Sequence, residues 1–196
     1  MKGLYIALGI ILLLVLWGGC GYNGMNGASK DVDQKWADVQ SSYQRRADLI
    51  PNLVATVKGA ADFEKSTYVQ VAMARAGSLK TLTQNTSAAD VTPEKLAQIQ
   101  KAASEAQTAA RMAINVAIER YPELKANQNF LSLQDQLEGT ENRIKVSRDA
   151  YNASVKDYNI KVSNFPNNIL AGMFHFKERT SFQAEAGADK APKVQF

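Results

Sequence analysis

The chain has 196 residues, 45% of them hydrophobic and 21% charged, with a formal net charge of +4 spread along its length. That is the size of one domain with appendages, and no run of like charge or interleaving of aromatic with basic residues marks a nucleic-acid footprint, so no nucleic acid is expected as a partner. Cys20 and His175 are the single cysteine and the single histidine; they cannot form an intrachain disulfide or a metal site of the usual Cys/His spacing, and no metal or cofactor is expected.

Met1-Lys2-Gly3 leads into an uncharged apolar run over residues 4–17, and the next charge is Lys30. With residues 18–22 included, the segment reaches the length a bilayer core requires, so residues 1–22 read as a membrane anchor or a lipoprotein signal. In the first reading the run is an uncleaved single span. In the second, cleavage before Cys20 leaves a lipid on its sulfur. Gly18 and Gly19 are the small residues such a motif wants, whereas Trp17 stands where it normally has leucine. A third reading leaves Cys20 as a small apolar residue of the span. Lys2 as the only charge ahead of the run favours a cytoplasmic amino terminus and an exported bundle. Residues 23–30, rich in glycine and asparagine, read as a linker.

The bundle is expected over residues 31–176. Trp36, Val39, Tyr43, Ala47, Ile50, Val54, Val57 and Ala61 recur in steps of three and four, and Tyr68 and Val71 continue the stripe. This predicts one helix from about 31 to about 79, roughly 70 Å long. Pro51 removes the hydrogen bond to the Ala47 carbonyl, so a kink, or a break near Ile50, is expected, and the stripe keeping its phase across the proline favours the kink. Residues 78–92 are polar and read as a surface loop. Thr92, Pro93 and Glu94 then supply a capping hydroxyl, a proline at the first helical position and a carboxylate at the positive end of the helix dipole.

A second helix carries Leu96, Ile99, Ala103, Ala106, Ala110, Ala113 and Ala117 on one stripe, and so many alanines predict a close neighbour. It ends before Tyr121-Pro122. A third, starting near 127–129, carries Phe130, Leu133, Leu137, Ile144, Tyr151, Val155, Tyr158, Val162 and Phe165 on a near-heptad seam and ends at Phe165-Pro166. Residues 169–176 suggest a brief helix capping one end of the bundle, with His175 as a structural histidine. Residues 177–196 read as an extended tail that Phe182, Val194 or Phe196 could pin. The predicted fold is therefore all-α: an elongated antiparallel up-down-up bundle of three long helices plus a short C-terminal helix, with an N-terminal membrane anchor.

Arg45, Arg46 and Asp48 interrupt the first stripe, and Thr140, Glu141 and Arg148 interrupt the third. With helices one and three parallel, Arg46 and Glu141 lie at similar heights, roughly 21 to 23 Å along. A polar layer follows, in which Arg45 or Arg46 meets Glu138 or Glu141, with Asn142 and Arg148 nearby. Such a pair fixes register more than it stabilises. The competing reading has all of them on the surface, as exposed charges usually are. Tyr151-Asn152 and Tyr158-Asn159 repeat at seven residues, which places both tyrosines on the seam.

Four stretches, Arg45-Arg-Ala-Asp-Leu-Ile-Pro-Asn-Leu-Val54, Tyr121-Pro-Glu-Leu-Lys-Ala126, Gln136-Leu-Glu-Gly-Thr-Glu-Asn-Arg-Ile144 and Phe165-Pro-Asn-Asn168, closely resemble the LemA family of bacterial membrane-anchored helical proteins. The resemblance spans about 22 to 182. It implies long helices tethered to a membrane, no established enzymatic mechanism, and partnership with other membrane proteins.

Three roles follow. The first is a membrane-anchored scaffold or adaptor for an unidentified protein partner, engaged through a helix face or residues 78–92. The second is a self-assembling structural component of the cell envelope, working as a homo-oligomer. The third is a hydrolase using Asp48, Glu138 and Glu141. It ranks last, because no nucleophile–base pair, phosphate loop or metal cluster is present, and the chain is expected not to be an enzyme.

Overall fold

A computed structural model of the chain describes residues 2–56 and 67–183. Among them are five α-helices and no strand: α1 (Lys2–Thr56), α2 (Thr67–Gln84), α3 (Pro93–Arg120), α4 (Gln128–Ser163) and α5 (Asn167–Phe174). A 3-10 turn at Ala88–Asp90 joins α2 to α3, and another at Pro122–Ala126 joins α3 to α4.

The rod expected from about 31 to about 79 is two helices lying side by side. Lys80 Nζ pairs with Asp48 at 2.9 Å, Gln40 donates to the carbonyl of Thr83, and Trp36 Nε1 donates to that of Thr86 at 2.7 Å. As numbers fall along α1 they rise along α2, so the two are antiparallel. Tyr68 and Val71, which extend the α1 stripe, are exposed, while the buried face of α2 is Val69, Ala72, Ala76, Leu79 and Thr83. A new face one position out of phase signals a new helix. Val57 and Ala61 lie outside the described residues. Pro51 sits inside α1, which runs on to Thr56 without the break considered near Ile50.

Residues 23–30 are not a linker but part of α1. Met25, Ala28 and Val32 are buried one turn after another and continue into Trp36, Val39 and Tyr43. Packing of this stripe outweighs the glycine penalty of about 1 kcal/mol per residue. The first turns of α1 are exposed and apolar, and among the described helices this is one long and apolar enough to cross a membrane.

Residues 78–92 are not a free loop either. α2 runs through Gly77 to Gln84, and Ala88 and Val91 are buried beneath the turn whose carbonyls Trp36 and Gln40 hold. At α3 the Thr92 hydroxyl accepts from Lys95 N at 3.3 Å, and hydrogen bonds from the Glu94 backbone and the Thr92 side chain hold the Glu94 carboxyl below its usual range.

Trp36 meets Tyr151, and Arg46 meets Glu141, so α4 is antiparallel to α1. Arg75 pairs with Glu105 at 2.6 Å across α2 and α3. Leu79 shares a cluster with Ile99, and Val69 shares one with Ile114 and Ala117, so that pair is antiparallel too. The result is four long helices running up, down, up, down, in the lateral order α3, α2, α1, α4. The ring does not close. No Cα of α3 comes within 8 Å of one in α4 among the described residues, which leaves a groove between them floored by α1.

Candidate functional site

Arg46 projects from α1 into the floor of that groove and is 3% exposed. Its Nη2 forms an ion pair with Glu141 Oε2 of α4, and its Nη1 donates a long bond of 3.4 Å to the carbonyl of Ala103 on α3. Its Nε has no acceptor among the described residues. Burial pulls the guanidinium below its ordinary pKa, and the Glu141 carboxylate opposes that shift. The Glu141 side chain is 36% exposed, so one end of the pair is wet.

Around the pair, Thr140, Ser147 and Ser154 are buried, and each hydroxyl donates to a carbonyl of its own helix three residues back, at 2.7, 3.1 and 2.8 Å. This is how α4 can bury polar seam residues without orphaning them. Of the remaining residues proposed for the layer, Arg148 stands 4.7 Å over the Phe182 ring, while Arg45, Glu138 and Asn142 are exposed. The Arg46–Glu141 contact forms between antiparallel helices, not the parallel ones from which their heights were reckoned. Of the carboxylates considered for hydrolysis, Asp48 pairs with Lys80 on another face, Glu141 is held by Arg46, and Glu138 lines the groove. No group of three metal-ligating side chains occurs among the described residues.

The groove has two compartments that share Arg46, Gln107 and Glu141. One, of about 430 Å³, is lined by Gln100, Gln107, Lys145 and Arg148. The other, of about 260 Å³, is lined by Arg111, Asn115, Gln134 and Glu138. Amides and charges dominate the wall of the larger compartment, whereas Ala110, Ile114 and Leu137 make that of the smaller one mixed.

Residues 177–183 show how such a surface holds a chain. They run extended beside α4. Asn159 Nδ2 donates to the Arg179 carbonyl at 2.9 Å while its Oδ1 accepts from the Arg179 amide at 2.8 Å. Asn152 does the same with Phe182, at 3.1 and 2.8 Å. The spacing is a match of two periods. Seven helical residues rise about 10.5 Å and three extended residues about 10 Å, so one heptad of α4 serves every third residue of the strap. Tyr151 Oη donates to the Thr180 carbonyl at 2.9 Å, Gln100 of α3 donates to that of Gln183 at 3.0 Å, and Phe182 packs against Trp36 and Tyr151. Burial pushes the Tyr151 phenol up to about 12. Burial also raises Tyr158, against the pull of Arg179. Residue 183 itself lines the larger compartment, so the strap ends its described path at the mouth of the groove.

The Tyr-Asn repeat thus carried more than seam tyrosines: its asparagines are clamps. The signal that could have shown this is a pair of amides at heptad spacing beside a core stripe, where solvated charges usually stand. Phe182 pins the extended segment, whereas Val194 and Phe196 lie outside the described residues. His175 is exposed at the left-handed cap of α5, with φ 59°.

Over 72 residues the chain is 32% identical to Magnetosome protein MamQ 1 and to Magnetosome protein MamQ 2, both of Paramagnetospirillum magneticum. The match takes in 37% of this chain and 26% of each relative, so the chain spans about a quarter of the length of the curated relatives it matches. The LemA family profile matches residues 35–196, which takes in the buried arginine, both walls of the groove and the strap; the chain belongs to the LemA family.

Proposed function

We propose that this chain is a membrane-tethered adaptor that lays an extended segment of a partner protein along the groove between α3 and α4. The observation that carries the reading is the strap. Its backbone is held by heptad-spaced amides on α4 and by Gln100 of α3, and the same heptad positions continue into open groove as Gln107 on α3 and, with charges in place of amides, as Lys145 and Glu138 on α4. Main-chain hydrogen bonds from such rows give affinity, and the charged walls give selectivity. The anchor is an uncleaved span, or a lipid on Cys20 after cleavage, and the bundle stands outside the cytoplasmic membrane. No catalysis is part of this role. A photocrosslinker replacing Gln107, used in native membranes, should give one discrete adduct with a second protein, and the adduct should weaken when Lys145 is replaced by Glu. An adduct only with residues beyond 183 of the same chain overturns the adaptor reading.

Self-assembly is the second reading. It is favoured by an apolar hollow of about 450 Å³ on the α2/α3 face, lined by Tyr68, Val71 and Met112. Light scattering in detergent across a concentration series tests it: a strict monomer at every concentration removes it.

A further inference from the structure

We propose that α5 and the preceding Phe165 form a foot seated in the lipid interface, at the level where α1 leaves the bilayer. α5 packs on α1 at one short stretch. A Cβ added at Gly21 would come within 2.7 Å of Leu170 Cδ1, and one at Gly18 would touch Leu170 Cδ2 at 4.0 Å. The Tyr22 ring lies 5.0 Å from that of Phe174 and 5.6 Å from that of Phe176. Leu170 and Ala171 are thereby buried.

The other side of this foot has nothing over it among the described residues. Phe165 is 80% exposed, Met173 66% and Ile169 53%, and Phe174 is also exposed. From 162 to 176 the sequence carries no formally charged residue with His175 neutral, and the stretch is bracketed by Lys161 and Lys177. An uncharged stretch with phenylalanines at 165, 174 and 176 and a lysine at either end has the composition of a segment lying in the headgroup boundary. Continuity decides the occupant. Val15 and Leu16, exposed on α1 just below the contact at Gly18, belong to the apolar sheath of the span, so the foot and the span share one greasy surface. Lipid that wets the span wets the foot.

The consequence is orientation. A single span is a swivel, whereas a span with a foot beside it fixes the tilt of the bundle. Arg46, 25 residues beyond Gly21 along a continuous helix, is then held about 38 Å above the boundary.

The test uses the full chain, with Cys20→Ser, in phosphatidylcholine–phosphatidylglycerol vesicles. A polarity-sensitive fluorophore is placed at Met173→Cys and, as a control, at Val146→Cys on the exposed face of α4. At 173 the foot predicts a blue-shifted emission, quenching by acyl-chain nitroxide lipids and loss of quenching by aqueous iodide, with none of these at 146. With Ile169→Asp added, iodide quenching at 173 should return while the thermal melt stays unchanged, because residue 169 points outward. Equal iodide access at 173 and 146 overturns the proposal. So does protection from iodide without quenching by the lipid nitroxide, since something other than lipid would then cover the foot.

Discussion

Removing the Glu141 carboxylate is the sharpest probe of the buried arginine. In Glu141→Ala, Arg46, 3% exposed in the native chain, is left with a single long hydrogen bond to Ala103 and no counter-charge within reach of Nη2. Breaking a fully buried pair in this way costs about 3–5 kcal/mol. Here the Glu141 side chain is 36% exposed and the groove admits water beside the guanidinium, so the expected cost falls to about 2–3 kcal/mol. For a chain of this size that is a drop of about 4–12 °C in Tm. Arg46→Met has the opposite logic. It removes the desolvated charge and fills most of the volume, so it should change stability by about 1 kcal/mol or less. Thermal melts of the full chain in detergent, followed by helical circular dichroism, read both variants. The double variant should recover most of the loss seen in Glu141→Ala. A Glu141→Ala loss below about 1 kcal/mol, or an Arg46→Met loss larger than the Glu141→Ala loss, refutes the argument.

Other consequences are independent of that pair. Asn152→Ala deletes both hydrogen bonds to Phe182 and should cost about 2 kcal/mol in the same melt, with protease cleavage after residue 177 rising as the strap detaches. Tyr151 has a folded-state pKa above its unfolded value, so its stabilising contribution is complete below pH 10 and is lost as pH rises toward 12. About 3 kcal/mol should disappear across that window, and Tyr151→Phe should flatten the alkaline limb of stability against pH. Gly21→Val must push against Leu170 and Asn167, so it should raise hydrogen exchange in α5 while leaving α2 and α3 protected.

Helix type and most ends were legible because the signals are local. Thr92-Pro93, Tyr121-Pro122 and Phe165-Pro166 punctuate the chain with backbone chemistry that packing does not override, and the α3 alanine stripe is buried where its period places it. Topology was not local. A stripe continuing through Tyr68 and Val71 read as one rod, and only contacts such as Asp48 with Lys80 reveal the fold-back that makes α1 and α4 antiparallel. The glycine-rich stretch at 23–30 read as a linker because propensity is visible in one dimension, while the cluster with Val162 and Leu170 in which Met25 and Ala28 are buried is not. Within the site, a charge beside an apolar stripe singled out Arg46. The roles of Asn152 and Asn159 depend on an extended segment 20 to 30 residues later, which no helical periodicity can announce.

The adaptor account rests on the groove reading extended backbone, and the spacing of crosslinks tests that most directly. Photocrosslinkers placed one at a time at Lys145 and Glu138, seven residues apart along α4, should reach partner residues about three apart, because one heptad of helix spans three extended residues. Contacts about seven apart would mean that a helix lies in the groove. Those contacts, or capture of no partner at either position, would contradict the account.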